Sequence, residues 1–307
     1  MNTPTVSIGM PVFNGANFIR CAIDSILCQD YHDLELVISD NCSTDETPAI
    51  CEEAVARDPR VRYYRTEKNR GAAWNYNRVF ELSTGEYFKW AAHDDECHPA
   101  MIRRCVEVFE SAPKSVAMVY PLAELIDDVG SRLQAPLDQV GSHHARPHRR
   151  LAHLLWSLNM CDPVFGLIRT EYLRKTRLIG PFFGADYVLL AELAMLGEIR
   201  QVDEILFRLR AHPKRSVQAN PGARAQAAWY DPNAAWKWLV MPSWERMVWE
   251  LMKSTHRSSL PYVERTACSV SAVATHYWRR TKDAGGRLKR RIRALFRSPV
   301  ELRSAQS

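Results

Sequence analysis

The fold is decided by two short runs, VSIGMPV at residues 6–12 and LELVISD at residues 34–40. The second run is apolar at most of its positions, which is typical of a parallel strand that is buried on both faces. Residues 17–28 lie between the runs and predict a helix that follows the turn at Asn14-Gly15. Strand, helix and strand in this order predict the first βα unit of a parallel sheet.

The same alternation continues to about residue 120. The polar turn after the second run offers Ser43 or Thr44 as the N-cap of a helix that ends near Arg57. Further strands are predicted at residues 61–65, 87–92 and 116–120, and further helices at residues 72–82 and 99–111. The sequence therefore predicts an α/β protein with a Rossmann-like, mostly parallel sheet flanked by helices.

The second half of the chain alternates less regularly. Residues 127–150 are rich in Gly, Pro and His and predict a loop. The segments that follow predict helices at 151–159 and 184–196, and extended chain at 164–169 and 205–209. Beyond residue 215, Trp-rich segments at 234–254 and 263–280 predict a helical C-terminal appendage.

Length and composition exclude several classes of protein. The chain has 307 residues, 46% hydrophobic and 25% charged, so it is not disordered, collagen-like or a small disulfide scaffold. No charge-free apolar run reaches the ~18–20 residues that span a bilayer, and residues 1–4 lack the pattern of a signal peptide. The eight cysteines contain no CxxC pair, which predicts reduced thiols in a cytoplasmic protein.

The positive charge is concentrated at the C-terminus. Residues 274–307 contain ten Lys/Arg and two Asp/Glu, so they account for more than the whole net charge of +6. A nearly neutral body argues against a nucleic-acid-binding core. Within this tail, residues 287–297 place an apolar stripe beside basic residues, which suits the surface of an anionic membrane. The alternative is a solvated terminal helix that packs its stripe on the body.

Three polar clusters follow predicted parallel strands, where open α/β sheets bind their ligands. They are residues 11–14 (PVFN), 39–41 (SDN) and 93–96 (HDDE). The glycine-rich loops that hold phosphates in dinucleotide-binding folds and in P-loop proteins are absent from the sequence. Carboxylates at strand ends therefore favour a phosphate group held through a divalent cation, Mn²⁺ or Mg²⁺.

These clusters belong to a longer series of motifs. The series runs through Pro11-Val-Phe-Asn14, Ser25-Ile-Leu-x-Gln29, Leu36-Val-Ile-Ser-Asp40-Asn-x-Ser-Thr-Asp45-x-Thr47, Asn69-x-Gly71, Asn77 and Gly85-Glu-Tyr87 to the acidic pair at 94–95. In order and spacing it resembles the family 2 glycosyltransferases, which have the GT-A fold, over roughly residues 4–215. The resemblance implies a catalytic domain, which we place at residues 1–220. The helical segments and the charge pattern, which the resemblance does not cover, predict a helical extension at 221–284 and a basic amphipathic tail at 285–307.

The resemblance also implies a nucleotide-sugar site. In the family, the first-strand segment and the aspartate that ends the second strand hold the base and ribose, which are Pro11, Phe13, Asn14 and Asp40 here. A carboxylate suits that role because it accepts hydrogen bonds from hydroxyl and ring N–H groups. The alternative for Asp40 is a cap of the next helix. Arg70 is placed near the base or diphosphate by the same resemblance, or else is a solvated arginine at a helix start.

The family's metal motif, usually Asp-x-Asp, appears as His93-Asp94-Asp95. The resemblance implies that Asp95 ligates the cation and that Asp94 faces the ribose or a metal-bound water. His212, in a segment similar to the family's Arg-x-His, is implied as a further ligand, with a structural histidine as the alternative. A merely solvated acidic turn is the alternative for the whole cluster.

Catalysis needs a base that takes the proton of the acceptor hydroxyl. The family places a Glu-Asp pair near the start of a helix after the sheet, and this chain has Ala185-Asp186 there. Asp186 is therefore the expected base, with an ordinary acidic residue at a helix N-terminus as the alternative.

The function that the resemblance implies is inverting transfer of a sugar from a nucleotide-diphosphate sugar to a glycan or lipid-linked acceptor, in cell-surface polysaccharide synthesis. A nucleotidyltransferase or phosphohydrolase that uses the same carboxylates is an alternative. His93 and Ala185 depart from the family motifs, so a catalytically degenerate, nucleotide-binding scaffold is another.

Overall fold

The computed structural model describes residues 4–135, 137–213, 215, 219–233, 243–275 and 277–278. Within these residues one sheet contains nine strands. They are β1 (Val6–Val12), β2 (Leu34–Asp40), β3 (Val61–Arg65), β4 (Tyr87–Trp90), β5 (Glu96–Cys97), β6 (Val116–Ile126), β7 (Arg132–Gln134), β8 (Leu167–Arg169) and β9 (Glu198–Arg210).

Helices alternate with the strands along the chain, and the last helices follow the final strand. They are α1 (Ile19–Leu27), α2 (Thr47–Arg57), α3 (Ala72–Glu81), α4 (Met101–Ser111), α5 (Pro147–Ser157), α6 (Thr170–Leu173), α7 (Ala185–Leu196), α8 (Ala223–Tyr230) and α9 (Ser243–Arg257). A further helix, α10, covers residues 262–275, and residues 277–278 are also helical.

The sheet is mostly parallel, as predicted, and the mixed α/β architecture is confirmed. Its strand order is β3-β2-β1-β4-β8-β6-β9-β5, with β7 paired to β6. Strands β3, β2, β1 and β4 are parallel, whereas β8 runs antiparallel to both β4 and β6. The chain leaves β1 toward β2 on one side and returns as β4 on the other, so a crevice opens at the carboxyl ends of β1 and β4.

The two runs that predict the fold form its centre. Strands β1 and β2 begin and end where the sequence predicts, and every one of their residues is buried. Helix α1 buries Ile19, Ala22, Ile23 and Ile26, which lie three or four residues apart on one face. Burial of both strands between helical layers explains why their sequences do not alternate strictly between polar and apolar residues.

The predicted N-cap of α2 is wrong. Helix α2 begins at Thr47, and its N-cap residue, Glu46, makes no side-chain capping bond. Ser43 and Thr44 are instead bonded to Asn14 at the end of β1. A long-range contact between two loops has therefore displaced the local capping that the sequence predicts.

Two segments of the second half differ from prediction. The supposed loop at residues 127–150 contains β7 and the start of α5. The extended prediction at 164–169 begins instead as a 3-10 helix, Asp162–Phe165, because Pro163 suits the first turn of a helix. Strand β9 is longer than predicted, since it pairs with β6 from Glu198 to Arg210.

The C-terminal helices pack on the body of the protein. Met247 and Leu251 of α9 are buried in the same apolar cluster as α7. Arg177 joins the two helices, with Glu192 of α7 and Glu250 of α9 each at 2.8 Å. The domain boundary near residue 220 stays a prediction, and the predicted tail at 285–307 lies outside the described residues. Among the described helices, each is too short or too polar to cross a membrane.

Candidate active site

The loops that follow β1 and β2 are locked together. Asn14 adopts a left-handed backbone (φ 52°), and its N–H donates to Ser43 Oγ at 2.8 Å. In return, Asn14 Oδ1 accepts from the N–H of Thr44 at 2.8 Å. Gly15 N–H donates to Thr47 Oγ1 and Ala16 N–H to Asp45 Oδ2. These bonds explain why the two motifs have their particular residues, and they fix the mouth of the crevice.

The crevice holds a cavity of about 430 Å³. Six of the predicted site residues line it, namely Pro11, Phe13, Asn14, Asp94, Asp95 and His212. The other lining side chains include several that the sequence did not single out, among them Asn41, Asn69, Asn75, Tyr76, Arg215 and Trp229. Three predicted residues, Asp40, Arg70 and Asp186, lie outside the lining.

Asp94 and His212 form a pair at one end of the cavity. The imidazole Nε2 of His212 donates to Asp94 Oδ2 at 2.8 Å. Burial raises the pKa of Asp94, but the hydrogen bond from His212 and the fields of His93 and His212 outweigh it, so the pKa lies below its ordinary value. Asp94 is therefore an anion held in place by His212.

Asp95 is more deeply enclosed and behaves in the opposite way. Its side chain is buried, and Asp95 Oδ1 accepts from the Arg210 N–H at 2.9 Å. Burial, followed by the neighbouring charge of Asp94, raises the pKa of Asp95 to about 8. This carboxyl therefore takes up a proton at neutral pH unless another positive charge is provided.

Arg210, at the end of β9, holds the acidic loop against the sheet. Its guanidinium donates to the carbonyl oxygens of Asp94, Asp127 and Asp128, and it forms an ion pair with Glu96. Its side chain is almost fully buried. Its contacts were not predictable from the sequence, because they join β9 to two separate segments, the acidic residues 94–96 and the turn at Asp127-Asp128.

The donor set at this end of the cavity suits a hard divalent cation. Asp94 and Asp95 offer carboxylate oxygens, which Mg²⁺ and Mn²⁺ prefer, and His212 lies beside them. In the described part of the chain, no three His, Cys, Asp or Glu side chains converge as a complete metal site. A cation here would therefore take its remaining ligands from phosphates and water, as Mg²⁺ does when one or two carboxylates hold it.

Asp40 ends β2 and is fully buried. Its Oδ1 accepts from the Ser43 N–H at 2.8 Å, and its Oδ2 accepts from the Tyr63 hydroxyl at 2.8 Å. The guanidinium Nε of Arg65 lies 3.5 Å from Asp40 Oδ2. The carboxylate therefore holds the turn after β2, while the adjacent Asn41 reaches the cavity.

Arg70 lies on the loop that leads to α3. Its guanidinium is 4.1 Å from the centroid of the Trp74 ring, a cation–π contact. The loop itself is fixed by Asn41, whose Oδ1 accepts from the Arg70 N–H and whose amide donates to Asn69. Asn69, rather than Arg70, faces the cavity.

Asp186 is the second residue of α7, where the helix dipole favours an anion. It is half-buried, and its Oδ1 accepts from the Tyr187 N–H at 3.0 Å. Burial raises the pKa of Asp186, an effect that the Tyr187 N–H and the Cys161 thiol partly oppose. A carboxylate with a raised pKa is a stronger base than an ordinary aspartate.

The charge of Asp186 acts on two tyrosines, one of which lines the cavity. Burial raises the pKa of Tyr76, which lines the cavity, and the charges of Asp94, Asp95 and Asp186 add to this effect. Burial and the charge of Asp186 also raise the pKa of Tyr230 of α8, whose hydroxyl is hydrogen-bonded to the backbone of Gly184. The helical extension therefore contributes to the site. The sequence gives little signal for this, because neither tyrosine lies in a motif.

The family model described as glycosyl transferase family 2 matches residues 7–177. The chain belongs to glycosyl transferase family 2. The resemblance inferred from the sequence motifs is thus confirmed.

Two relatives illustrate the similarity within this glycosyltransferase family. An uncharacterized glycosyltransferase of Rickettsia bellii is 26% identical over 282 residues, 88% of this chain and 38% of the relative. The chondroitin synthase of Escherichia coli is 35% identical over 128 residues, 42% of this chain and 18% of the relative. The chain thus spans well under half the length of both.

Solved structures of glycosyltransferases share the fold. TarS 1–349 of S. aureus in complex with UDP-GlcNAc superposes with a TM-score of 0.65 at 12% identity, covering 89% of this chain and 72% of TarS. The mannosyltransferase PcManGT of Pyrobaculum calidifontis, in complex with GDP-Man and Mn²⁺, superposes with a TM-score of 0.57 at 19% identity, covering 96% and 81%. At these identities the likeness establishes the GT-A fold.

Proposed function

We propose that this protein is an inverting, cation-dependent glycosyltransferase that moves a hexosyl group from a nucleoside-diphosphate sugar to an acceptor hydroxyl. The observation that carries the proposal is a single cavity at the carboxyl ends of β1 and β4, where the locked β1 loop faces the Asp94-Asp95 pair and His212. One side of this cavity suits a nucleotide and the other suits a diphosphate held through a cation.

The nucleotide would lie on the β1 side of the cavity. Pro11, Phe13 and Asn14 line this side, and Phe13 is 44% exposed, so a base can pack against it. Asp40 is fully buried and has three protein partners, the Ser43 N–H, the Tyr63 hydroxyl and Arg65, so it would serve the nucleotide by fixing the turn that brings Asn41 to the cavity. Asn69, on the same loop as Arg70, lines the cavity, and Arg70 would contribute positive charge toward the diphosphate.

The diphosphate would lie on the acidic side. Asp95 would hold the cation, with His212 as a further ligand and Asp94 directed toward the ribose or a metal-bound water. A bound Mn²⁺ or Mg²⁺ would offset the charge that develops on the diphosphate leaving group. The raised pKa of Asp95 supports this role, because a buried carboxyl beside a second carboxylate needs a compensating positive charge.

Asp186 would supply the base. It takes the proton of the acceptor hydroxyl as the oxygen attacks the anomeric carbon, and the bond from that carbon to the diphosphate oxygen breaks with its electron pair leaving on the diphosphate. Attack on the face opposite the leaving group inverts the anomeric centre. The elevated pKa of Asp186 and its position at the start of α7 support this assignment.

The acceptor is proposed to be a glycan or a lipid-linked sugar in cell-surface polysaccharide synthesis. The similarity to a chondroitin synthase supports a polysaccharide setting. We place the enzyme in the cytoplasm, held at the inner face of the membrane by the basic segment 287–297. A chain that ends at residue 284 should then lose membrane association relative to the full chain.

The proposal is tested by titration calorimetry with UDP, GDP and dTDP, each with and without Mn²⁺, on the wild type and on Asp95→Ala. One nucleotide should bind in a Mn²⁺-dependent manner, and Asp95→Ala should remove that dependence. Failure of all three to bind under any condition would contradict the proposal, whereas nucleotide binding without turnover would favour the degenerate, nucleotide-binding scaffold. Release of sugar 1-phosphate from a nucleotide sugar would instead identify a nucleotidyltransferase or phosphohydrolase.

A further inference from the structure

Helix α10 presents an apolar face to the surroundings. Tyr262, Val263, Val270 and Tyr277 are 76%, 75%, 62% and 63% exposed. At about 100° per residue, Tyr262, Val263 and Val270 fall within one arc of roughly 100° around the helix axis, and Tyr277 lies in the short helical stretch beyond α10. The remaining described positions in this arc are Thr266 and Val273, so the arc contains no charged side chain. An exposed apolar surface of this kind marks an interaction site.

The opposite side of the helix fixes its orientation. Cys268, Ala272 and Thr275 are buried against the body. Glu264 accepts a hydrogen bond from the His148 ring of α5 at 2.7 Å. The helix therefore does not need its apolar face for attachment, and that face is held outward.

Two tryptophans extend the apolar surface. Trp156 of α5 and Trp278 stack with ring centroids 3.7 Å apart, and they are 53% and 40% exposed. Rings that join an apolar body to a polar N–H or O–H are enriched where membranes meet water. Tyr262 and Tyr277 on the face have the same character.

The charge of the chain that follows this face indicates which kind of partner binds the face. Residues 279–297 follow Trp278 directly and contain nine Lys/Arg and one Asp. An anionic lipid surface attracts such a segment electrostatically, and each basic side chain near the surface adds to the attraction. A second copy of the chain would bring two such segments together, and their like charges would repel.

We propose that the exposed face of α10 docks on an anionic membrane surface, with Tyr262, Val263, Val270 and Tyr277 entering the headgroup region. The basic segment supplies the electrostatic attraction, and the face supplies apolar burial and a fixed orientation of the folded body. This inference deepens the membrane attachment proposed for the tail, and it does not depend on the transferase chemistry.

Sedimentation with vesicles tests the proposal on the full chain. Vesicles of phosphatidylcholine alone are compared with vesicles in which roughly one-third of the lipid is phosphatidylglycerol. The face variant is Val263→Glu/Val270→Glu. The matched control is Val129→Glu/Leu133→Glu, which places the same charges on two exposed apolar side chains of the β6–β7 hairpin, 81% and 57% exposed.

The wild type and the control should bind the anionic vesicles, and the face variant should bind them at least about tenfold more weakly. A factor of ten corresponds to about 1.4 kcal/mol, and burial of one valine side chain in the headgroup region contributes more than this. Equal binding by the face variant would overturn the proposal, because the tail alone would then suffice. Absence of wild-type binding would also overturn it. So would a wild-type dimer, seen by light scattering, that the face variant dissociates.

Nucleotide binding is measured on the same samples. Unchanged binding in both variants shows that they are folded, and it separates failure of the membrane proposal from failure of the proposed active site.

Discussion

Asp138→Ala should destabilise the protein, because the Asp138 carboxylate organises the loop that faces Asp186. Asp138 is buried, and its two oxygens accept from the backbone N–H groups of Asn159, Met160 and Cys161 at 2.7–2.9 Å. Three successive donors on one carboxylate hold the loop in a single conformation. The loop delivers the Cys161 thiol, which contacts Asp186.

These contacts set the free energy of unfolding that Asp138→Ala should lose. Asn159 and Met160 are exposed, so water can replace the lost acceptor there, whereas Cys161 is buried. One buried unpaired N–H costs about 1–3 kcal/mol, and each charge-assisted bond exchanged for water costs somewhat less. Relief of the repulsion between Asp138 and Asp162 offsets part of this. A net loss of about 3 kcal/mol is expected.

Urea denaturation and thermal melting check this value. A loss of about 3 kcal/mol lowers the melting temperature of a protein this size by at least about 5 °C. Asp138→Asn, which keeps one acceptor, should lose less. Asp128→Ala, an exposed aspartate of the same segment, is the control and should change stability by under about 0.5 kcal/mol. An Asp138→Ala protein as stable as the control would refute the reasoning.

Two further predictions concern neighbouring sites. Burial, and then the charge of Asp138, raise the pKa of Asp162 to about 7. Between about pH 4 and 7 the native protein therefore keeps a proton on Asp162 that the unfolded chain releases. As a result, the free energy of unfolding falls as the pH rises through this range. Asp162→Asn should therefore stabilise the protein by about 2–4 kcal/mol at pH 8 and much less at pH 5, measured by urea denaturation; an equal effect at both would contradict this. Gly71→Ala should weaken nucleotide binding, because at φ +88° its Cβ would lie 2.5 Å from the carbonyl oxygen of Tyr230 and push α8 away from the cavity. Gly130→Ala, with φ +90° and open space around it, is the control, and calorimetry that gives both variants the same affinity would count against that role for α8.

Much of the fold could be predicted from the sequence because the deciding signals are local. Strands β1 and β2 are set by buried apolar runs, and their bounds were predicted correctly. Strand β9 was predicted too short, because its first half carries polar residues and owes its conformation to pairing with β6. Strand β6 lies some eighty residues earlier in the chain, so pairing with it leaves no hydrophobic periodicity in the sequence of β9.

The candidate site was predictable where motifs mark the strand ends. Asp94, Asp95 and His212 do line one cavity, although they are far apart in sequence. The contacts of Arg210 and the approach of Tyr230 were not predictable, since each depends on how separate segments pack. The sequence therefore identifies the charged groups of the site, and the structure shows what holds and surrounds them.

The central claim is that Asp186 acts as the base at a donor site built on Asp95. Its most direct test is release of nucleoside diphosphate from the nucleotide sugar that binds, in the presence of acceptor, by the wild type and Asp186→Asn, with nucleotide affinity measured in parallel. The account predicts that Asp186→Asn lowers kcat by at least about 100-fold while nucleotide affinity stays within about twofold. Wild-type turnover by Asp186→Asn would contradict it.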